Sequence, residues 1–153
     1  AAIRAGFAAA RWPGRLQQLL WRGHRLLLDG AHNPPAAQAL RAELDAHPER
    51  HGLAPGPRHW VIGMLANKQG PEVLTALLAP GDRASIVPVP GHASWDLETL
   101  AQACPALASQ LQSASSVETA LSLAAARSTD PVVVAGSLYL LGQLLALMQE
   151  REC

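Results

Sequence analysis

The sequence predicts an α/β fold that is Rossmann-like, with a mostly parallel sheet, helices on both faces and an amino-terminal β-hairpin. The first observation is alternation: short apolar segments typical of buried strands are followed by segments whose apolar residues recur at helical spacing. Such alternation favours parallel strands, because each crossover helix returns the chain to the same end of the sheet. The second is composition. Hydrophobic residues make up 49% of the chain and aromatic residues only 4%, which is typical of helices packed closely on a small sheet.

The amino-terminal elements follow from turn and cap signals. Residues 15–21 and 25–28 are predicted to form the two hairpin strands around Arg22-Gly23-His24, with the second strand ending at Asp29. Asn33 is a natural N-cap, and the two prolines after it open a helix over 36–46.

The rest of the chain continues the alternation. Strands are predicted over 60–64, 84–89 and 132–135, and helices over 71–78, 96–104, 117–127 and 137–151. The signals in 105–115 are mixed, and we predict a short helix there. Residues 1–14 are predicted to be a linker or the end of a preceding domain, because Trp12-Pro13-Gly14 breaks regular structure, and 15–153 form the domain itself. The chain opens at Ala1 without a methionine, as expected of a piece of a longer protein.

Charge and apolar runs exclude several classes of protein. Twelve cationic side chains balance twelve acidic ones, so no one-signed field is present to attract nucleic acid or an anionic membrane. All apolar runs fall far short of the roughly 18 residues that a membrane span requires. Cys104 and Cys153 lack CxxC spacing, which favours a reduced, cytoplasmic setting. Lys68 is the single lysine of the chain.

In parallel α/β sheets, ligands bind at the loops that leave the carboxyl ends of the strands. Four loops are therefore candidate binding sites: residues 29–33, 64–70, 90–95 and 136–137.

The densest polar cluster is Asp29-Gly30-Ala31-His32-Asn33, between a buried strand and a helix start. Asp29 could accept hydrogen bonds from sugar hydroxyls, and His32 could donate to phosphate or carboxylate oxygens. The free N–H groups of the following helix are expected to favour an anion. Ordinary helix capping explains the same residues equally well.

Two further residues could bind an anion. Ser137 follows the strand over 132–135 as an N-cap whose hydroxyl and neighbouring N–H groups can bind a carboxylate or phosphate, although capping alone also accounts for it. Arg15 follows a rigid Trp-Pro-Gly turn and could bind phosphate through two parallel guanidinium N–H groups, although a lone arginine is usually only solvated.

Other chemistries lack their motifs. His92, Ser94 and Asp96 share one loop, but no GxSxG elbow supports a hydrolase. The histidines at 24, 47, 51 and 59 show no HExxH or CxxC spacing, so no metal site is predicted. The chain has no GxxxxGK[ST] loop, so another domain must hold the phosphates of any ATP.

Four motifs resemble one family when taken in order. They are WPGR at 12–15, LDGAHNP at 28–34, IGMLANKQ at 62–69 and AGSLYLLG at 135–142. Together they resemble the carboxyl-terminal domain of folylpolyglutamate synthase/dihydrofolate synthase, a relative of the Mur ligases. DGAHNP and GSLYL are the most specific of these motifs.

The resemblance implies one part of an ATP-dependent ligase of folate biosynthesis and polyglutamylation. Such enzymes phosphorylate the carboxylate of dihydropteroate or of a folate, and the amino group of L-glutamate attacks the acyl phosphate. ATP and Mg²⁺ are held mainly by an amino-terminal P-loop ATPase domain of the same polypeptide, so this domain is expected to be inactive alone. The enzyme is expected to be a cytoplasmic monomer.

The resemblance also implies residue roles. Arg15 would lie near phosphate and Asp29 near ribose, while His32 and Ser137 would serve the glutamate or phosphate end of the cleft. Lys68 matches a family lysine and is expected to contact the nucleotide. The family usually has aspartates on both sides of that lysine, whereas this chain has Asn67 and Gln69, so the loop is neutral apart from its lysine.

Two other functions remain open at this point. One is the equivalent domain of a peptidoglycan Mur ligase, although its usual lysine-containing loop is replaced here by DGAHN. The other is a Rossmann-like binding module without catalysis.

Overall fold

The structure is a computed structural model that describes residues 15–152. The predicted linker at 1–14, with its Trp12-Pro13-Gly14 turn, and Cys153 lie outside the described residues. The strands are β1 Gln17–Trp21, β2 His24–Asp29, β3 His59–Ile62, β4 Arg83–Ile86, β5 Leu111–Ser113 and β6 Val132–Ala135. The helices are α1 Pro34–Ala46, α2 Gly70–Leu77, α3 Leu97–Ala103, α4 Val117–Arg127 and α5 Leu138–Glu152, with 3₁₀ helices at Pro48–His51 and Pro105–Gln110.

The amino-terminal hairpin is confirmed. β1 and β2 pair antiparallel, and Trp21 lies opposite His24 across the turn. Both turn residues have positive φ, 50° at Arg22 and 81° at Gly23. A two-residue turn with two positive φ angles matches the twist of the flanking strands, so it sets the register of the hairpin.

The six strands form one sheet in the order β1-β2-β6-β3-β4-β5, in which every pair except β1 with β2 is parallel. The carboxyl ends of β2, β6, β3 and β4 therefore meet at one edge, which we call the carboxyl edge. β6 lies between β2 and β3, so its loop separates the Asp29 loop from the Lys68 loop.

Alternating side chains of the sheet build two cores. On one face, Leu27 and Val133 pack with α1, α2 and α3. On the other, Leu26, Val132 and Val134 pack with α4 and α5. Because strand side chains alternate between faces, a continuous apolar strand such as β6 is buried on both sides. The predicted α/β architecture, with helices on both faces, is confirmed.

The structure corrects the prediction in the middle of the chain. The segment 105–115 contains the expected short helix, here a 3₁₀ helix, but also strand β5, which was not predicted. The strands predicted over 60–64 and 84–89 end earlier, at Ile62 and Ile86. The Gly63 N–H still donates to the Ala135 carbonyl of β6 at 3.2 Å, and from Met64 onward the backbone pairs with the loop that follows β4.

Among residues 15–152, no helix is both long enough and apolar enough to cross a bilayer.

Candidate functional site

A cleft of about 630 Å³ opens at the carboxyl edge, between the chain leading into β1, the loop after β2 and one face of α1. Three of the predicted site residues line it: Arg15, Asp29 and His32. The remaining lining is mostly apolar, and it includes Leu16, Ala36, Leu40 and Leu138, with Glu43 as a further charged residue. An apolar cleft with a few convergent polar groups is the usual form of a small-molecule site.

Asp29 fixes the shape of the cleft. Its Oδ1 accepts a hydrogen bond from the Ala31 N–H at 2.9 Å, and its Oδ2 accepts one from the Leu16 N–H at 3.2 Å. Leu16 has a φ of 45°, a left-handed conformation that is costly for a leucine. The carboxylate therefore stabilises the backbone turn that presents Arg15 to the cleft.

Asp29 is also electrostatically unusual. Burial raises the pKa of its carboxyl above the ordinary range, while the N–H groups of Ala31 and Leu16 and the charge of Arg15 act in the opposite direction. Because the folded state holds the proton more tightly than the unfolded chain, the contribution of Asp29 to stability is complete below its unfolded pKa. That contribution is lost as the pH rises through its folded pKa. Folding thus disfavours the ionised form of Asp29, because burial outweighs the N–H groups and the arginine that favour it.

The hydrogen bond of His32 restricts its chemistry. Its Nδ1 lies 2.9 Å from the Gly30 carbonyl oxygen, which can only accept, so Nδ1 carries the proton. In the neutral ring Nε2 is then an acceptor, and it donates only when the ring is protonated. His32 therefore suits a ligand amine better than the phosphate or carboxylate oxygens first considered for it.

The expectation of free N–H groups at the start of α1 is wrong. Pro34 and Pro35 have no N–H, and the next one, of Ala36, donates to Asn33 Oδ1 at 2.9 Å. The N–H of Ala37 donates to the Asn33 carbonyl. Asn33 is thus the predicted N-cap, and the start of α1 offers no free N–H group to an anion.

Ser137 lies on the loop of the neighbouring strand. Asp29 and Ala135 face each other across the β2–β6 pair, so this loop runs beside the Asp29 loop. Ser137 is buried, and its Oγ accepts from the N–H groups of Tyr139 at 3.1 Å and Leu140 at 3.4 Å. It is therefore the cap of α5, as one of the two interpretations held. No donation by its hydroxyl is seen among the described residues.

The turn before Ser137 requires glycine. Gly136 has a φ of 109°, and a Cβ there would lie 2.5 Å from the Gly63 carbonyl oxygen. The absence of a side chain lets the loops after β6 and β3 pack against each other.

Lys68 does not line the cleft. It lies on the loop after β3, which the β6 loop separates from Asp29. Its backbone is well bonded, but within 15–152 its ammonium group has no partner. The structure thus brings Arg15, Asp29 and His32 together, with Ser137 on the adjacent loop and Lys68 further along the same edge.

The residues considered for a hydrolase have local roles. Ser94 Oγ donates to the His92 carbonyl and accepts from the Val89 N–H, and Asp96 caps α3 through the Thr99 N–H. The His92 ring stacks on Tyr139 with 4.3 Å between ring centroids. No group of three or more potential metal ligands is placed together in the described part of the chain.

Sequence reasoning missed Glu43 as a cleft residue. It follows Pro35 and Ala39 at successive four-residue steps, the spacing of one helix face, and this was the available signal. His51 Nε2 lies 2.8 Å from its Oε2, and this hydrogen bond lowers the pKa of Glu43 below the ordinary range. Glu43 thus adds a carboxylate to the lining of the cleft.

The model of one protein family, described as dihydrofolate synthetase, C-terminal domain, matches residues 15–147. A dihydrofolate synthase/folylpolyglutamate synthase of Escherichia coli K12 is 30% identical over 153 residues, covering 99% of this chain and 34% of that protein. The structure is also similar to that of Mycobacterium tuberculosis folylpolyglutamate synthase complexed with ADP and AMPPCP. The TM-score is 0.74 at 26% identity, covering 95% of this chain and 34% of the other.

A second solved structure is similar over the same region. It is the bifunctional folylpolyglutamate synthase/dihydrofolate synthase of Yersinia pestis complexed with AMPPNP and Mn ion, with a TM-score of 0.71, 28% identity and coverage of 97% of this chain and 34% of that one. The chain thus spans about a third of the length of these relatives.

Proposed function

The chain belongs to the folylpolyglutamate synthase/dihydrofolate synthase family, as its carboxyl-terminal domain, and we propose that it closes the active site of an ATP-dependent ligase. That ligase adds L-glutamate to dihydropteroate or to folates. The observation that carries the proposal is the joint placement of Arg15, Asp29 and His32 in one cleft at the carboxyl edge. The folate-ligase names of the relatives support this function over that of a peptidoglycan ligase domain or a binding module without catalysis.

The nucleotide would meet the domain at Arg15, Asp29 and Lys68. The guanidinium of Arg15 and the ammonium of Lys68 have no hydrogen-bond partner among the described residues, so both can bind phosphate oxygens. Each oxygen of Asp29 keeps a lone pair beyond its backbone bond and can accept from a ribose hydroxyl. We propose, as the family resemblance implies, that Mg²⁺ is held mainly by the amino-terminal P-loop ATPase domain.

The glutamate would meet the domain at His32 and Ser137. In the ligation, ATP activates the folate carboxylate and the glutamate amino group displaces phosphate. The amino group must lose a proton to attack, and Nε2 of the neutral His32 ring is an acceptor suited to it. The hydroxyl proton of Ser137 can be donated to a carboxylate oxygen of glutamate.

The surface around Ser137 fits a partner domain. Leu138 and Tyr139, the first residues of α5, are 56% and 60% exposed, although most large apolar side chains of the structure are buried. They directly follow Ser137 at the carboxyl edge, where the loops after β2 and β3 also lie. We propose that this face meets the ATPase domain of the same polypeptide. Such an enzyme, which works on soluble substrates and has Cys104 as a free thiol, belongs in the cytoplasm.

The experiment that tests the glutamate role compares variants of the full-length ligase. His32→Ala is expected to lower kcat/KM for glutamate by roughly 10- to 150-fold, because it removes a hydrogen bond to a charged group. Ser137→Ala is expected to lower it by a similar factor, roughly 10- to 150-fold, because its bond to the glutamate carboxylate is also one to a charged group. The KM for ATP should change little in both.

Two variants serve as matched controls. His24 bonds the Asp130 carbonyl at the start of β2, at the opposite end of the sheet, so His24→Ala should leave glutamate addition unchanged. Ser116 caps α4 as Ser137 caps α5, so Ser116→Ala should cost a similar capping energy, about 1 kcal/mol, without affecting glutamate. If His32→Ala and Ser137→Ala leave ligation untouched, the two loops serve only as helix caps.

A further inference from the structure

The loop that carries Lys68 is held in place by the loop that follows β4. Leu65 and Ser94 form an antiparallel bridge beyond the end of the sheet. The Ala66 N–H donates to the Ala93 carbonyl at 2.8 Å, and the Trp95 N–H donates to the Met64 carbonyl at 3.0 Å. The two loops therefore form one bonded unit at the carboxyl edge.

The side chain of Trp95 binds the backbone of Lys68 directly. Its indole Nε1–H donates to the Lys68 carbonyl at 2.9 Å. The same ring covers Gly70, where an added Cβ would lie 2.7 Å from Nε1 and 2.8 Å from Cδ1. Close contact of ring and glycine thus sets the position of the indole, and the indole sets the position of the Lys68 peptide group.

The Lys68 backbone has two further restraints. Its N–H donates to the Leu65 carbonyl at 3.0 Å, and its carbonyl also accepts from the Gly70 N–H at 2.9 Å. A flexible lysine gains a defined reach only if its Cα is fixed, because its four-carbon stem has many rotamers. Here the backbone is bonded on both sides of Cα, while the ammonium has no partner within the described residues.

We propose that Trp95 is a positioning residue, which fixes the Lys68 backbone so that the ammonium reaches the ATP phosphates. This inference rests on the proposed function, in which Lys68 contacts the nucleotide. Trp95 itself touches no substrate. Asn67 and Gln69, the neighbours of Lys68, are neutral and offer no carboxylate to its ammonium, so the restraint seen here acts on the Lys68 backbone through the indole.

The test uses the full-length ligase with the variants Trp95→Phe, Lys68→Ala and both together. Trp95→Phe keeps an aromatic side chain beside Gly70 but removes the Nε1–H donor together with part of the ring volume, a loss of volume that the control variant below shares. It is expected to raise the KM for ATP by about 2- to 10-fold, as for loss of one neutral hydrogen bond, with the KM for glutamate unchanged. In the Lys68→Ala background the same change should have no further effect on the KM for ATP.

Trp21→Phe is the matched control, because the Trp21 Nε1 is buried on the hairpin without a hydrogen-bond partner in the described structure. It should leave the KM for ATP unchanged. Urea unfolding of each variant gives its free energy of unfolding, which shows whether a change in KM comes from a less stable fold or from a displaced Lys68.

Three results would overturn the inference. In the first, Lys68→Ala raises the KM for ATP and Trp95→Phe does not; the nucleotide role of Lys68 then stands and positioning by Trp95 fails. In the second, Trp95→Phe raises that KM equally with and without Lys68, so that Trp95 acts on the fold in general. In the third, Lys68→Ala has no effect, which removes the nucleotide role of Lys68 and the inference together; the variants of Arg15 and His32 still judge the ligase function separately.

Discussion

Replacement of Asp82 by alanine is expected to lower the free energy of unfolding of this chain by about 3–5 kcal/mol, since it breaks a buried ion pair and leaves the buried donors around that carboxylate unsatisfied. Asp82 is only 1% exposed and lies just before β4. Its Oδ2 accepts from Arg41 Nη1 at 2.7 Å and from Trp60 Nε1 at 3.0 Å, and its Oδ1 accepts from the Arg58 N–H at 2.8 Å. One carboxylate thus joins α1, β3 and the loops at the amino end of the sheet, and its loss leaves buried donors unsatisfied.

The measurement is urea unfolding of the 153-residue chain, with the slope against denaturant used to verify that the unfolded state is unchanged. Asp45→Ala is the matched control, because Asp45 pairs with the same Arg41 at 2.8 Å but its side chain is 54% exposed. An exposed partner contributes about 1 kcal/mol or less. An equal decrease in the free energy of unfolding for Asp82→Ala and Asp45→Ala would contradict the role given to Asp82.

Arg15→Ala in the full-length ligase is expected to raise the KM for ATP by roughly 10- to 150-fold, the effect of losing a charge-assisted hydrogen bond to phosphate. Arg15 is the cleaner probe of this site than Asp29. Asp29 also bonds the backbone of Leu16 and Ala31, so that Asp29→Ala would disturb the loop as well as the nucleotide. Arg15→Lys keeps the charge but loses the two-nitrogen grip, and an intermediate KM is expected.

The control for Arg15 is Arg83→Ala, an exposed arginine at the start of β4 and so at the end of the sheet opposite the cleft. Steady-state rates of ADP formation over a range of ATP concentrations give the KM for ATP of both variants. An unchanged KM for ATP in Arg15→Ala would remove Arg15 from the nucleotide site, whatever the effect on glutamate.

Strong local signals made much of the fold predictable. α4 and β6 begin and end where the sequence predicted, because a serine cap opens the helix and three consecutive valines form the strand. β5 escaped prediction because Leu111–Ser113 has no β-branched residue. It is placed by pairing with β4 and by the Gln112 Nε2 donation to Ser85 Oγ at 2.8 Å. Contacts of that kind link residues far apart in sequence, so no local pattern reveals them.

The sequence predicted which loops carry candidate site residues, but not which of those loops lie together in the folded chain. Motif resemblance indicated Arg15, Asp29 and His32, and the structure places them in one cleft. The separation of Lys68 from that cleft depends on β6 lying between β2 and β3, and strand order is a tertiary property. The lack of free N–H groups at α1, by contrast, could have been recognised from Pro34 and Pro35 alone.

The most direct test of the central claim, that this domain completes a ligase active site, is to measure glutamate incorporation with and without the ATPase domain. The 153-residue chain, given ATP, Mg²⁺, dihydropteroate and L-glutamate, is expected to form no product. The full-length polypeptide under the same conditions is expected to release ADP and glutamylated product together. Turnover by the chain alone, or an ATPase domain that ligates equally well without this chain, would contradict the account.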